Sequence, residues 1–255
     1  MAVQNKILLT FDVEEFDMPL EYGQDIAVHE QMNLGKKGLD AITELITLHN
    51  INCTLFTTAN FALHYPGEIK SLAAKHEIAS HTFYHSKFET KHLAESKNTL
   101  EAISGQQIDG LRMPRMGSVD MNEVAAAGYK YDSSINPTFL PGRYNNLNLP
   151  RKTYTEKGIL RLPVSVTPHL RIPLFWLSFK NFPYPLYKML ALQTLKKDRN
   201  LSLYFHPWEF TDISHIKIPQ FTKRYSGSQL LDRLNTLITD LKKEGDFCTI
   251  NSALN

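Results

Sequence analysis

Three features are scarce in this sequence of 255 residues: cysteine, an excess of one charge, and long apolar runs. The two cysteines, Cys53 and Cys248, lie far apart in short apolar runs, which predicts two buried free thiols in a reducing compartment. The formal net charge is only +2 and no basic block occurs, which argues against nucleic acid as a partner. No stretch approaches the roughly 20 apolar residues of a membrane-spanning helix, and the first residues lack a secretory pattern. These absences predict a soluble, cytoplasmic chain.

Apolar residues are nevertheless plentiful, at 42% of the sequence, which suffices for a substantial core. Short apolar runs alternate with segments of helical periodicity, and this alternation predicts a parallel sheet flanked by helices and closed into a barrel. We therefore expect an α/β fold with one domain over residues 1–255. Residues 17–35 are interpreted as a functional loop, and residues 133–158 as a long irregular excursion. Strands are predicted at 7–11, 53–57, 77–80, 108–112, 129–132, 159–164, 201–205 and 247–250, and helices at 38–48, 66–75, 92–104, 122–127, 186–195 and 229–243.

A cluster of carboxylates follows the first apolar run. Asp12 and Glu14 are two residues apart, on or just after a strand, so their side chains project to the same side. Two carboxylates held close together invite a metal, or a division into a base and a ligand with separated pKa values. The alternative is ordinary loop solvation, and that is our interpretation of Glu15 and Asp17.

Two histidines, His81 and His85, are spaced at i and i+4 directly after the predicted strand at 77–80. If a helical turn begins here, both rings point the same way and can hold one metal ion. Their position places them at the same sheet edge as Asp12 and Glu14. Two histidines and one carboxylate make an open-sided metal site that suits hydrolysis. The spacing alone is a weak signal, since the chain has 10 histidines; we interpret the others, apart from His206, as structural, namely those at positions 29, 49, 64, 76, 92, 169 and 215.

Polar residues also end two later strands. Arg112 could pair with Asp12 and keep it ionised, although a surface arginine beside a turn is the alternative. His206 follows an apolar strand and is a natural general acid near neutral pH, the alternative being a core histidine bound to a backbone carbonyl. Trp208 could form the wall of a sugar site, or could simply pack. Arg115 is a weaker candidate.

In order, the motifs Thr10-Phe11-Asp12, His81-x-x-x-His85, Arg112-x-Pro114 and the late strand ending at His206 resemble the polysaccharide deacetylases of carbohydrate esterase family 4. The resemblance covers nearly the whole chain. It is closest to a bacterial branch associated with exopolysaccharide biosynthesis loci. Four stretches carry this likeness: Asp12-Val13-Glu14-Glu15, Tyr131-Asp132-Ser133-Ser134-Ile135, Leu162-Pro163-Val164-Ser165 and His206-Pro207-Trp208-Glu209.

The resemblance implies a deformed (β/α) barrel of seven parallel strands. It implies a metal-dependent hydrolase that removes N-acetyl or O-acetyl groups from a saccharide. The implied cofactor is a divalent metal ion, zinc first, with cobalt, nickel or manganese as alternatives.

The resemblance also implies residue roles. Asp12 is the general base that activates a metal-bound water, and Arg112 orients it. His81 and His85 are metal ligands, and His206 is the acid that protonates the leaving amine.

Several positions depart from the family pattern. Val13 stands where most members have a second, metal-ligating aspartate, so the ligand role passes to Glu14. Arg115 stands where an aromatic residue is usual, although its backbone N–H could still bind an oxyanion. Asp132 is expected either to orient a catalytic histidine or to cap the turn at Ser133-Ser134. We place Arg115, Asp132 and Trp208 together as substrate-binding candidates.

Two further functions remain open. Leu174-Phe175-Trp176-Leu177 replaces an expected glycine-rich stretch, which indicates a different substrate shape. One alternative, implied by the resemblance because relatives act on such bonds, is hydrolysis of another non-peptide C–N bond, in an allantoin-like ureide or a cyclic imide. The other is a catalytically silent saccharide-binding module, favoured by the altered first motif and disfavoured by survival of the base, both histidines, the arginine and the late histidine.

Overall fold

A computed structural model describes residues 4–254, and its centre is a curled, mainly parallel β sheet with helices around it. The strands are β1 (Lys6–Val13), β2 (Thr54–Thr57), β3 (Glu77–Ser80), β4 (Gly110–Leu111), β5 (Tyr131–Asp132), β6 (Phe139–Leu140), β7 (Tyr144–Asn145), β8 (Tyr154–Glu156), β9 (Ile159–Arg161), β10 (Asn200–Phe205) and β11 (Asp246–Phe247). The α-helices are α1 (Val28–Leu48), α2 (Ala59–His64), α3 (Pro66–Leu72), α4 (Lys91–Ser104), α5 (Met121–Ala126), α6 (Trp176–Asn181), α7 (Tyr184–Asp198), α8 (Gln220–Lys223), α9 (Ser228–Leu241) and α10 (Ile250–Leu254). Short 3₁₀ turns occupy Met18–Tyr22, Pro114–Met116 and Pro207–Phe210.

Seven parallel strands form the sheet in the order β10-β1-β2-β3-β4-β5-β9, with β8 antiparallel to β9 and β11 paired with the start of β1. The chain beyond β9 approaches β10, because Ser165 N–H donates to the Ser202 carbonyl at 2.9 Å and Ser202 N–H donates to Ser165 Oγ at 2.9 Å. These bonds draw the two ends of the strand order together. The predicted α/β fold with a deformed (β/α) barrel is thus confirmed.

The two faces of β1 have different surroundings. Ile7, Leu9, Phe11 and Val13 pack in the large core between sheet and helices. The alternate residue Leu8 joins a smaller interior cluster with Phe56, Tyr131 and Ile250, among others. Since side chains alternate along a strand, Thr10 and Asp12 share the interior side with Leu8. Asp12 therefore stands at the carboxyl end of the barrel interior.

Helix α1 begins at Val28, within the segment predicted to be a loop, so that prediction is wrong for residues 28–35. The helix carries Gly35 and Gly38, which weaken the helical signal of the sequence. Both glycines are needed for close packing. A Cβ at Gly38 would lie 1.8 Å from the carbonyl oxygen of Pro207, and one at Gly35 would lie 2.5 Å from that of Glu14. Helix α1 thus packs directly on the two segments that carry Glu14 and His206.

Other predicted elements differ in detail. Helices α2, α6 and α8 are not predicted, residues 133–158 contain the hairpin β6–β7 and strand β8, and the closing strand is divided into β11 and α10. Both cysteines are free as predicted, although Cys248 is only partly buried. Within residues 4–254, none of the helices combines the length and apolar character that a bilayer crossing requires.

Candidate active site

The polar residues predicted for the site lie at the carboxyl ends of four strands. Asp12 and Glu14 are at the end of β1, His81 directly follows β3, Arg112 follows β4 and His206 follows β10. Parallel strands bring these ends to one edge of the sheet, which is the usual location of ligand sites in such folds.

The first group is Glu14, His81 and His85, all buried. Glu14 Oε2 lies 3.1 Å from Nε2 of His81 and 3.1 Å from Nε2 of His85. The two imidazole rings stack, with centroids 5.6 Å apart. The expected helical turn is absent: residues 81–85 form an irregular loop in which Thr82 has a positive φ of 61°. The loop conformation, rather than helical spacing, makes the rings converge.

The Nδ1 atoms of both histidines are engaged, which leaves the Nε2 atoms for a cation. His81 Nδ1 lies 2.7 Å from the carbonyl oxygen of Arg112, and His85 Nδ1 lies 2.6 Å from Asp17 Oδ1. Both Nδ1 atoms therefore carry the proton, since each faces an acceptor. Glu14 Oε1 accepts the indole N–H of Trp208 at 3.0 Å, whereas Oε2 has no hydrogen-bond donor. This oxygen and the two Nε2 atoms converge and fit a divalent cation that displaces any proton shared between them.

Glu15 and Asp17 are not loop solvation, so that interpretation is wrong. Both carboxylates are buried. Glu15 accepts the hydroxyl of Thr58 at 2.7 Å and the backbone N–H of His85 at 3.0 Å. Asp17 holds the ring of His85 and receives a guanidinium at both oxygens. Donors from distant segments compensate both charges, and the local sequence pattern does not reveal them.

Arg115 supplies that guanidinium. Its Nη2 lies 3.1 Å from each Asp17 oxygen, its Nη1 donates to the carbonyl of His85 at 2.9 Å, and its Nε donates to Glu21. Arg115 lines the pocket and has a positive φ of 55°. Most of its donors are therefore committed to holding His85 and Asp17 rather than free for a substrate.

Asp12 and Arg112 form a buried ion pair, with Arg112 Nη1 2.6 Å from Asp12 Oδ1. The same Nη1 donates to Thr10 Oγ1 at 2.9 Å, and Nε donates to the carbonyl of Ser133 at 3.2 Å. The guanidinium also lies 4.0 Å from the ring centroid of Phe56. The predicted pairing is present, and the surface-arginine alternative is wrong because the side chain is completely buried.

His206 closes the other side of the site. Its Nε2 lies 3.9 Å from Asp12 Oδ2, and its Nδ1 lies 3.0 Å from Glu209 Oε1. Burial alone would lower the pKa of His206, but the charges of Glu14, Glu209 and Asp12 outweigh it and raise this pKa above its ordinary value. The ring is therefore bound by a carboxylate, not by a backbone carbonyl.

Two substrate-binding predictions need correction. Asp132 is completely buried, accepts Arg161 Nε at 2.9 Å and Ser134 N–H at 3.1 Å, and does not line the pocket. It caps the turn at Ser133-Ser134, which is one of its two expected roles, and does not orient a catalytic histidine. Trp208 contributes to the pocket but is only 1% exposed, and its N–H is committed to Glu14. It supports the site rather than forming an open sugar wall.

The pocket above this site has a volume of about 280 Å³. Asp12, Glu14, His85 and His206 line its polar side. Apolar side chains from the hairpin β6–β7, from α6 and from α8 line much of the rest, namely Leu140, Pro141, Tyr144, Trp176, Leu177 and Phe221. Sequence reasoning missed the buried partners Asp17, Lys180 and Glu209. Of these, only Glu209 could have been found from the sequence, because it lies three residues after His206 on a turn that begins with a proline.

Comparison with known sequences decides the family. The sequence family described as polysaccharide deacetylase matches residues 3–131, half of the chain. The chain belongs to the polysaccharide deacetylase family. This deacetylase is accordingly a hydrolase of the family that acts on C–N bonds of N-acetyl groups. A domain of unknown function, DUF3473, matches residues 133–255, so the boundary between the two matches falls in β5, a strand of the barrel sheet. A comparison with curated protein sequences finds no significant match.

Solved structures share the fold of this deacetylase. A protein of Mycobacterium smegmatis described as a polysaccharide deacetylase is 19% identical with a TM-score of 0.67, over 97% of this chain and 88% of the other. One from Pseudomonas aeruginosa PAO1 is 14% identical with a TM-score of 0.69, over 97% and 88%. Puue allantoinase is 15% identical with a TM-score of 0.65, over 98% and 89%. At these identities the likeness concerns the fold alone.

Proposed function

We propose that this chain is a metal-dependent deacetylase that removes N-acetyl or O-acetyl groups from a saccharide. The observation that carries the proposal is the convergence of Glu14 Oε2 with Nε2 of His81 and His85, at 3.1 Å each. Two imidazoles and one carboxylate fit zinc, with cobalt, nickel or manganese as alternatives. When bound, a divalent cation there polarises the acyl carbonyl and makes water more acidic.

The proposed base is Asp12. Its Oδ1 is held by Arg112, so the ion pair fixes the orientation of the carboxylate. Its Oδ2 remains available to take a proton from water in the pocket. Arg112 also accepts the ring N–H of His81 at its carbonyl oxygen, which links the base to one proposed ligand through a single residue.

The proposed acid is His206, which lines the pocket opposite the base. The raised pKa of His206 favours the imidazolium, the form that can give a proton to a leaving nitrogen. The backbone N–H of Arg115 is the proposed donor to the developing oxyanion. One catalytic domain over the whole chain follows, since the proposed ligands and the proposed acid lie in different halves of the barrel.

A second candidate is hydrolysis of another non-peptide C–N bond. Its support is the apolar wall made by Phe175, Trp176 and Leu177 where a glycine-rich stretch was expected. Fold similarity to an allantoinase is compatible with it but does not favour it over deacetylation. Release of ammonia or a ring-opened product, without acetate from any saccharide, would establish this candidate.

The test combines elemental analysis of the purified protein with an acetate-release screen over N-acetyl and O-acetyl saccharides. Asp12→Asn is expected to lower acetate release by about 100-fold or more while metal content stays near normal. Glu14→Gln is the matched variant and is expected to lower both. Near wild-type turnover in Asp12→Asn would refute the assignment of the base.

A further inference from the structure

Lys180 has no part in the proposed chemistry, yet its side chain is completely buried. It lies near the end of α6, and its Nζ donates to the carbonyl of Thr222 at 2.8 Å. The same Nζ lies 3.0 Å from Glu209 Oε2. Burying an ammonium group is costly unless the charge is paired. Glu209 is the anion that pairs with this buried ammonium, so the role of Lys180 depends on the role of Glu209.

Glu209 is also completely buried and divides its two oxygens between two partners. Oε2 faces Lys180, whereas Oε1 accepts the backbone N–H of His206 at 2.8 Å and lies 3.0 Å from His206 Nδ1. The result is a continuous chain of charged groups, Lys180–Glu209–His206–Asp12, with separations of 3.0, 3.0 and 3.9 Å.

We propose that Lys180 and Glu209 are positioning residues that hold His206 with Nδ1 protonated and Nε2 directed at the pocket. This inference rests on the proposed function, in which His206 is the acid. In that step the Nε2–H bond breaks and the proton binds the leaving nitrogen, which keeps the electron pair of the broken C–N bond. His206 ends neutral, with its Nδ1–H still donated to Glu209.

The surroundings of His206 explain why the lysine is needed. Three carboxyl groups face the ring, Asp12 on β1, Glu14 just after β1 and Glu209 on the turn of His206, and Lys180 from α6 is the cation behind Glu209. Lys180 keeps Glu209 ionised and fixes which oxygen meets the imidazole. Asp132 cannot take this role because Arg161 and Ser134 occupy its oxygens.

The first experiment compares Lys180→Met with Lys180→Arg. We expect Lys180→Met to lower kcat by about 10- to 100-fold with KM within about twofold, because the proton donor is displaced while the pocket keeps its shape. Lys180→Arg should recover most of kcat. The control is Lys188→Met, which removes a lysine of α7 that lies 2.8 Å from Asp240 of α9, and it should leave kcat unchanged. An unchanged kcat in Lys180→Met, or a loss confined to KM, would overturn the proposal.

A second experiment needs no turnover and covers the case in which Lys180→Met fails to fold. Nitrogen-15 NMR of the wild-type protein is expected to show His206 as the Nδ1–H tautomer when neutral, and an Nε2–H tautomer would overturn the positioning role. If no substrate is hydrolysed, the proposed function fails while this measurement still tests the inference. In an active enzyme, Glu209→Gln should move the alkaline limb of kcat/KM to lower pH, since a carboxylate that stabilises the imidazolium is lost.

Discussion

At the scale of single residues, the buried carboxylates of the site have a large effect on the pKa of His85. Burial alone would lower its pKa, but the carboxylates of Glu14 and Asp17 outweigh burial and raise the pKa of His85 to about 9. Without a cation the ring is therefore protonated at neutral pH. A cation that binds its Nε2 must first displace that proton.

We accordingly expect metal binding at pH 7 to release about one proton from His85. The apparent affinity should rise about tenfold per pH unit up to about pH 9 and then level off. Calorimetry in two buffers of different ionisation enthalpy measures the proton release. In Asp17→Asn the plateau should begin at lower pH, because one of the charges that raise the pKa is gone. An affinity that does not change between pH 6 and 8 would contradict this assignment.

His76 gives a second pH effect; it precedes β3, whereas the proposed ligand His81 follows that strand. Burial, together with the charge of Lys75, lowers the pKa of His76 to about 4, and its Nδ1 accepts the N–H of Cys53 at 3.3 Å. The neutral ring stabilises the fold fully above pH 6.5, and this contribution is lost as the pH falls from 6.5 towards 4.

Between pH 7 and pH 5 the free energy of unfolding should therefore fall by at most about 2 kcal/mol on account of His76. Urea unfolding at both pH values measures the change. His76→Asn is the comparison, since it should lack this part of the pH dependence while keeping the part due to carboxylates. Equal pH dependence in the two proteins would show that His76 is not the source.

The site residues that sequence could predict are those at strand ends. Asp12, Glu14, His81, Arg112 and His206 each follow an apolar run, and parallel topology then brings them together. The roles of residues that depend on packing between distant segments could not be predicted from the sequence. Asp17 and Lys180 have their roles only because distant segments, carrying His85 and Glu209, pack against them.

At the scale of elements, α1 shows why some of the fold could not be predicted. Strands β1, β2, β3 and β10 each contain a short apolar stretch and were predicted close to their observed bounds. The part of α1 that was not predicted, residues 28–37, has no such signal, and Gly35 within it and Gly38 directly after it lower the helix propensity. The reason for these glycines is seen only in the packed structure. The absence of a Cβ lets the backbone of Glu14 and Pro207 approach the helix closely.

Gly38→Ala is therefore expected to destabilise the protein by about 3 kcal/mol or more, because the new Cβ would overlap the carbonyl of Pro207. Displacement of that turn should also lower activity, since His206 precedes it. The matched control is Gly67→Ala in α3, where a Cβ meets nothing within 4 Å and the substitution should be neutral or stabilising by up to about 1 kcal/mol. Urea unfolding compares them, and equal effects would refute the packing argument.

At the scale of the whole molecule, two sequence families are joined in one sheet. Strand β1 in the first half pairs with β10 in the second over six residue pairs, and β5 pairs with β9 across the family boundary. The first half contains Glu14, His81 and His85, and the second contains His206. Each half therefore contains strands whose hydrogen-bonding partners lie in the other half.

We expect a fragment of residues 1–131 to bind metal far more weakly than the whole chain, although it holds all three proposed ligands. Co-expression with residues 132–255 should restore cooperative unfolding and metal content. Circular dichroism during thermal unfolding and elemental analysis measure both. A cooperative transition in the first fragment alone would mean that it is an independent domain.

The hydrogen bond between Trp208 and Glu14 constrains how these two positions can evolve. A glutamate side chain is one methylene longer than an aspartate, and the indole N–H at 3.0 Å fixes the oxygen that does not face the histidines. Neither position is then free to change alone, because a shorter acid would leave a buried N–H without an acceptor. Among homologous chains, glutamate at position 14 and tryptophan at position 208 should be inherited or lost together.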